Sequence, residues 1–164
     1  MRLQSLIQVL LALALAGQCL LASAASLDVG APWPGLSLSD QYDKVSTLSG
    51  DTLRVVLFAA ERKPGDWAQD IVEKSYKEAA IAGRLALVFD ISRMPSLVTT
   101  MFAMPGFRAR PFTILLARDS APVAFLPKMD ASVTVLTIEA GKVVAIDYAK
   151  DEAALERVLA QRMK

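Results

Sequence analysis

Lys63 and Asp66 stand three residues apart just after one apolar run, and Asp90-Ile91-Ser92-Arg93 closes a second. A carboxylate and an amine gathered in one crevice can transfer protons or hold a polar substrate in place. The crevice that would gather them is built from Lys63, Asp66, Asp90, Ser92 and Arg93. For the second group a plainer role is a strand-to-helix turn, in which Ser92 caps and Asp90 accepts from backbone N–H groups. Arg108 and Arg110 offer a different chemistry. In an extended chain they fall on one side and could grip a phosphate or carboxylate as candidate anion contacts; otherwise they are charges of a solvated loop.

Composition narrows these options. The chain holds no histidine, and its one cysteine, Cys19, lies in an apolar N-terminal stretch. Without imidazole or thiol only carboxylates remain as metal ligands, and none has the spacing of a calcium loop, so no metal site is expected. There is no glycine-rich phosphate loop or dinucleotide fingerprint, and hence no cofactor is expected. Met94, Met101 and Met104 with Phe102 and Phe107 recur at helical spacing, which fits core packing, or alternatively an adaptable binding surface.

The N-terminus reads as an export leader. One positive charge, Arg2, precedes an apolar run from Leu6 to Leu21, and small residues follow at Ala22-Ser23-Ala24. The uninterrupted stretch Val9 to Ala16 is shorter than the ~20 residues that span a bilayer, so cleavage after Ala24 and a periplasmic destination are expected, with no stable membrane insertion afterwards. Gln18 before Cys19 argues against lipoprotein processing. Residues 1–24 are therefore the leader and residues 25–164 a single domain, of a size that can bury its own core. Arg2 is the one basic residue of the leader, so 17 of the 18 Lys and Arg remain to balance 17 Asp and Glu. A net charge near zero gives no reason to expect nucleic-acid binding.

The elements that must position these residues follow from periodicity. Pro32, Pro34, Gly30 and Gly35 punctuate an extended opening segment with a short edge strand at Leu36 and Leu38. Arg54 to Ala60 is a continuous β-branched apolar run, the pattern of a central strand buried on both faces. Trp67, Ile71, Val72, Tyr76, Ala79 and Ala80 then mark a helix that starts near Gly65-Asp66, with Asp66 as N-cap, and stops at Gly83. Leu85 to Ile91 is a second buried strand, followed by a short helix capped by Ser92. Phe112 to Ala117 and Val123 to Leu126 read as strands. Val133 to Ile138 and Lys142 to Tyr148 form a hairpin about Glu139-Ala140-Gly141, and a last helix begins at Asp151.

This order, together with Gly30-x-Pro32-x-Pro34-x-Leu36-x-Leu38-x-Asp40-Gln41, resembles the redoxin and peroxiredoxin branch of the thioredoxin-like superfamily. The resemblance implies an α/β fold, a thioredoxin-like three-layer α/β/α arrangement with a mixed central sheet. It also implies a redox motif, Cys-x-x-Cys, after the central strand, where this chain has Lys63 and Asp66. A cis-proline should precede the hairpin near Asp130-Ala131-Ser132-Val133, and no proline is there. By the resemblance, that loop and the helix start face one another, which adds Ser132 to the candidate crevice. With both halves of the redox site missing, disulfide exchange, thiol peroxidase and glutathione-type chemistry are not expected of this chain. The expectation is a binding or accessory module serving an envelope protein or small ligand. The alternative is an enzyme doing non-thiol acid/base chemistry with Lys63, Asp66, Asp90 and Arg93.

Overall fold

A computed structural model describes residues 26–164; the leader and Cys19 lie outside the described residues. Seven strands form one mixed sheet in the order β2-β1-β5-β4-β3-β6-β7. The all-apolar runs become β3 (Val55–Ala59) and β4 (Leu85–Asp90), which pair in parallel and bury every residue. β5 (Ile114–Ala117) extends the parallel set beyond β4. On the other flank β6 (Val133–Glu139) runs antiparallel to β3 and is joined to β7 (Lys142–Ala149) by a two-residue turn. Ala140 and Gly141 both have positive φ, 48° and 73°, as the hairpin turn that matches strand twist requires.

The opening strand β1 (Leu36–Asp40) is not at the edge. It sits between β5 and a further strand, β2 (Val45–Leu48). The Val45-Ser46-Thr47-Leu48 stretch is too short and too exposed to announce itself by periodicity. The Asp40 carboxylate folds it back by accepting from the N–H groups of Tyr42 (2.8 Å) and Lys44 (3.0 Å). Val123 to Leu126 is a second departure: it forms a 3₁₀ turn, Ala121–Val123, and not a strand. Pro122 lacks the N–H that a ladder needs, and the buried pair Val123 and Leu126 is spaced by three, a helical interval.

The sheet is the middle of three layers. On one face pack α1 (Arg62–Ile71), its continuation through a π segment (Val72–Tyr76) into α2 (Lys77–Ile81), and the closing helix α5 (Glu152–Arg162). Gly83, at φ 70°, ends α2 in a Schellman motif, with Arg84 N–H donating to the Ala79 carbonyl at 2.9 Å. Asp151 caps α5 by accepting from Ala154 N–H at 2.7 Å. The opposite face is covered by Leu27, Trp33 and the 3₁₀ turn. Between β4 and β5 the chain makes an insertion on the helical face: α3 (Ser96–Val98), a π segment (Thr99–Ala103) and α4 (Met104–Arg108). Among the described residues no helix is long and apolar enough to cross a membrane.

Candidate functional site

The helix after β3 starts upstream of its expected position. Pro64 is tolerated only in a first turn, so α1 begins at Arg62 with Glu61 in extended conformation as its N-cap residue. Asp66 is therefore not the cap. It is exposed within the helix, with Arg62 Nε at 3.7 Å from its carboxylate. Lys63 is also exposed and lies over the Trp67 ring, 5.6 Å from the centroid. The Glu61 side chain makes no cap bond; it crosses to the loop before β6 and accepts from Ala131 N–H at 2.7 Å. The helix start and that loop do face one another, tied by a carboxylate. No peptide bond in the described chain is cis, and Ala131 turns the loop through a positive φ of 52°. Ser132 is buried and its hydroxyl donates to the Met129 carbonyl at 2.7 Å, which commits it to the loop.

Asp90 accepts from Ser92 twice, from N–H at 3.0 Å and from Oγ at 2.6 Å, the Asx turn of the plainer reading. Ser92 caps no helix, because Pro95 occupies the N-cap of α3. Ser92 lines a hollow with Ile91 and Thr99 that neither Lys63 nor Asp66 reaches, and Arg93 is exposed. Lys63, Asp66, Asp90 and Arg93 thus form no hydrogen-bonded cluster.

Arg108 and Arg110 also part. The chain is helical through Arg108, not extended, and the two guanidinium groups go to different elements. Arg108 Nε donates to the Gln41 carbonyl at 2.9 Å. Arg110 reaches α1 and its π continuation: Asp70 Oδ1 of α1 lies at 2.6 Å from Nη2, and Glu73 of the π segment accepts from Nη1. Burial lowers the Arg110 pKa, but the hydrogen bonds and charges of Asp70 and Glu73 more than offset this and hold it above its usual value.

What the tertiary structure assembles beside α1 is a cavity of about 340 Å³ between α1 and the insertion. Phe89, Met94, Val98, Phe102 and Phe107 line it, and Arg62, Asp66 and Arg110 stand among them as its charged members. Its one deep polar group is the Gln69 amide: the residue is 5 % exposed, and the one hydrogen bond the amide makes is from Nε2 to the Gly65 carbonyl at 3.3 Å. Phe89 and Phe107 rest against each other, ring centroids 5.5 Å apart. Gly65 lets Phe89 lie directly on the α1 backbone.

The methionine and phenylalanine pattern divides between its two readings. Met104 and Phe107 are core, whereas Met101 and Phe102 are 60 % and 69 % exposed and continue an apolar ridge with Leu97 beside the cavity. The cause is the π segment ahead of Pro105, which changes the number of residues per turn and rotates these side chains off the buried face. Gln69, Phe89 and Val98 carried no signal in the sequence as site residues, because only the packing of the insertion onto α1 brings them together.

No protein-family model matches the sequence, and no curated protein matches it. Solved structures do match. Peroxidoxin BcpB from Mycobacterium tuberculosis aligns over 84 % of this chain and 97 % of its own at 17 % identity, with a TM-score of 0.57. The thioredoxin domain of a thiol-disulfide oxidoreductase from Bacteroides vulgatus aligns over 81 % and 99 % at 13 % identity, TM-score 0.52. A thio-disulfide isomerase from Thermus thermophilus aligns over 83 % and 97 % at 19 % identity, TM-score 0.50.

Proposed function

Starting from a thioredoxin-like fold, we propose that this chain is an exported binding or accessory module that carries out no thiol redox chemistry. Residues 26–164 contain no cysteine and no histidine, so the fold presents a helix N-terminus after β3 with no sulfur for its dipole to activate. The observation that carries the reading is the apolar cavity at that same helix. Its volume is within the range of small-ligand sites, its lining is mainly aromatic and aliphatic, and Gln69 supplies one fixed amide for orientation. The exposed ridge of Leu97, Met101 and Phe102 beside it gives a partner protein or ligand apolar surface beyond the cavity mouth. Export to the periplasm belongs to the same reading and is supported by the leader pattern of residues 1–24.

The test compares the wild-type chain with Phe102→Ser in crosslinked pull-downs from bacterial envelope extracts. Phe102 is mostly exposed, so its replacement should leave thermal stability within about 0.5 kcal/mol. A species captured by wild type and lost with Phe102→Ser supports the proposal. Identical capture by both, or reduction of insulin disulfides or consumption of peroxide by the purified chain under contaminant controls, refutes it.

A further inference from the structure

Resting on the reading of the α1 cavity as the functional site, we propose that its ligand is a free, uncharged aromatic molecule bearing a ring N–H or O–H donor, of the indole or phenol class. Arg62, Asp66 and Gln69 stand at i, i+4 and i+7 of α1 and so share one stripe, the one turned toward the insertion. The first two are exposed and belong to the mouth of the cavity, whereas Gln69 is 5 % exposed and lies deep. Its amide is half used. Nε2 donates to the Gly65 carbonyl at 3.3 Å, which fixes which end is nitrogen, and Oε1 accepts from no group among the described residues. Nor is Oε1 sealed: the one closed and unpaired side-chain polar atom among the described residues is the Thr137 hydroxyl, on β6. The Gln69 acceptor therefore opens to water-sized space, and the space that Gln69 borders is the cavity.

The lining selects the remaining chemistry. Phe89, Phe102 and Phe107 present three rings, and Met94 and Val98 extend the apolar wall. Ring faces, ring edges and a thioether favour an aromatic occupant over a saturated one of equal size. Each charged member of the lining already faces an opposite charge: Arg62 with Asp66, and Arg110 with Asp70 and Glu73. A carboxylate or ammonium on the ligand would lose its hydration and find no free counter-charge, which favours an uncharged molecule. The volume of about 340 Å³ is that of a small-ligand site. A ring without a donor displaces water from Oε1 and leaves the acceptor unpaired; a ring N–H or O–H takes the place of that water.

The experiment titrates the purified chain with indole and, separately, with benzofuran, which keeps the bicyclic shape and lacks the N–H donor, and reads the thermal midpoint. Saturable stabilisation by indole is expected, with half-saturation at least about tenfold below that of benzofuran. Gln69→Met, of similar length and without the acceptor, should bring the two compounds within about threefold of each other while the ligand-free chain stays folded. Gly106 borders the cavity, is exposed, and offers a new Cβ nothing within 4 Å, so Gly106→Leu should weaken indole at least about tenfold by filling the space. No indole binding, equal binding of indole and benzofuran by wild type, discrimination that persists in Gln69→Met, or tighter binding of N-acetyltryptophanamide than of indole overturns the inference, the last by assigning the site to a partner's side chain. Lack of indole binding alongside capture that depends on Phe102 removes this inference and leaves the accessory-module reading standing; donor-dependent indole binding alongside capture unaffected by Phe102→Ser does the reverse.

Discussion

A methyl group at Gly65 would lie 2.3 Å from Phe89 Cε1 and 2.9 Å from Cδ1, closer than carbon atoms approach. The ring is not free to withdraw, because it also rests against Phe107, with ring centroids 5.5 Å apart. Gly65→Ala therefore sets a helix-propensity gain of about 1 kcal/mol against overpacking of about 1–3 kcal/mol. Urea unfolding should show a net loss of about 1 kcal/mol, whereas Gly106→Ala, whose new methyl meets nothing within 4 Å, should show none. A Gly65→Ala chain as stable as wild type would mean that the cavity wall is soft. At this scale the sequence located Lys63 and Asp66 on the helix after the central strand but not what they meet. Lys63 turns to Trp67 and Asp66 to Arg62, four residues away in each case, and Ser132 turns inward to Met129. Such destinations follow from helix phase and from the space left by neighbours, which residue type alone does not encode.

Elements whose periodicity and turn chemistry agreed were legible. β3, β4, the β6–β7 hairpin and α5 lie where alternation, apolar runs and caps put them. The hairpin turn carries a local conflict, since Ala140 holds φ at 48°, a region an L-residue with a Cβ enters at a cost. Ala140→Asn, which tolerates that conformation and suits this turn, should raise stability by about 0.5–1 kcal/mol in denaturant titrations. No gain would show that the flanking strands already dictate the turn. Apart from β1 and the short exposed β2 that displaces it from the edge, the elements that misled are those where proline or a π segment intervenes. Pro64 moved the start of α1 to Arg62, Pro122 made a 3₁₀ turn of an apparent strand, and the segment before Pro105 put Phe102 on the surface. In each case a missing N–H or an altered number of residues per turn broke the period on which sequence reading depends.

Across the whole molecule, α1, its π continuation and α5 meet where Tyr76 and Glu156 approach one another. Burial raises the Tyr76 pKa, and the Glu156 carboxylate raises it further. The folded chain thus holds the phenol proton more tightly than the unfolded chain does. The resulting stability is complete below the ordinary tyrosine value of about 10 and is lost as pH rises through the higher folded value. Thermal melts should fall above about pH 10, and Tyr76→Phe should remove part of that fall; an alkaline limb identical in both chains would assign it to other groups. The sequence by itself determined the order β3, α1, β4, β6, β7, α5 of a thioredoxin-like fold and the lack of any thiol or imidazole in residues 26–164, because composition and short-range period are local properties. Only the tertiary structure decided which residues share a cavity. The contacts that settle this join distant chain positions: Glu61 to Ala131, Gln41 to Phe112 and Arg110 to Asp70. Only the last of these ties the insertion to α1; the first ties the start of α1 to the loop before β6 and the second ties the residue after β1 to the segment before β5, and none falls within a window of sequence short enough to be read by periodicity.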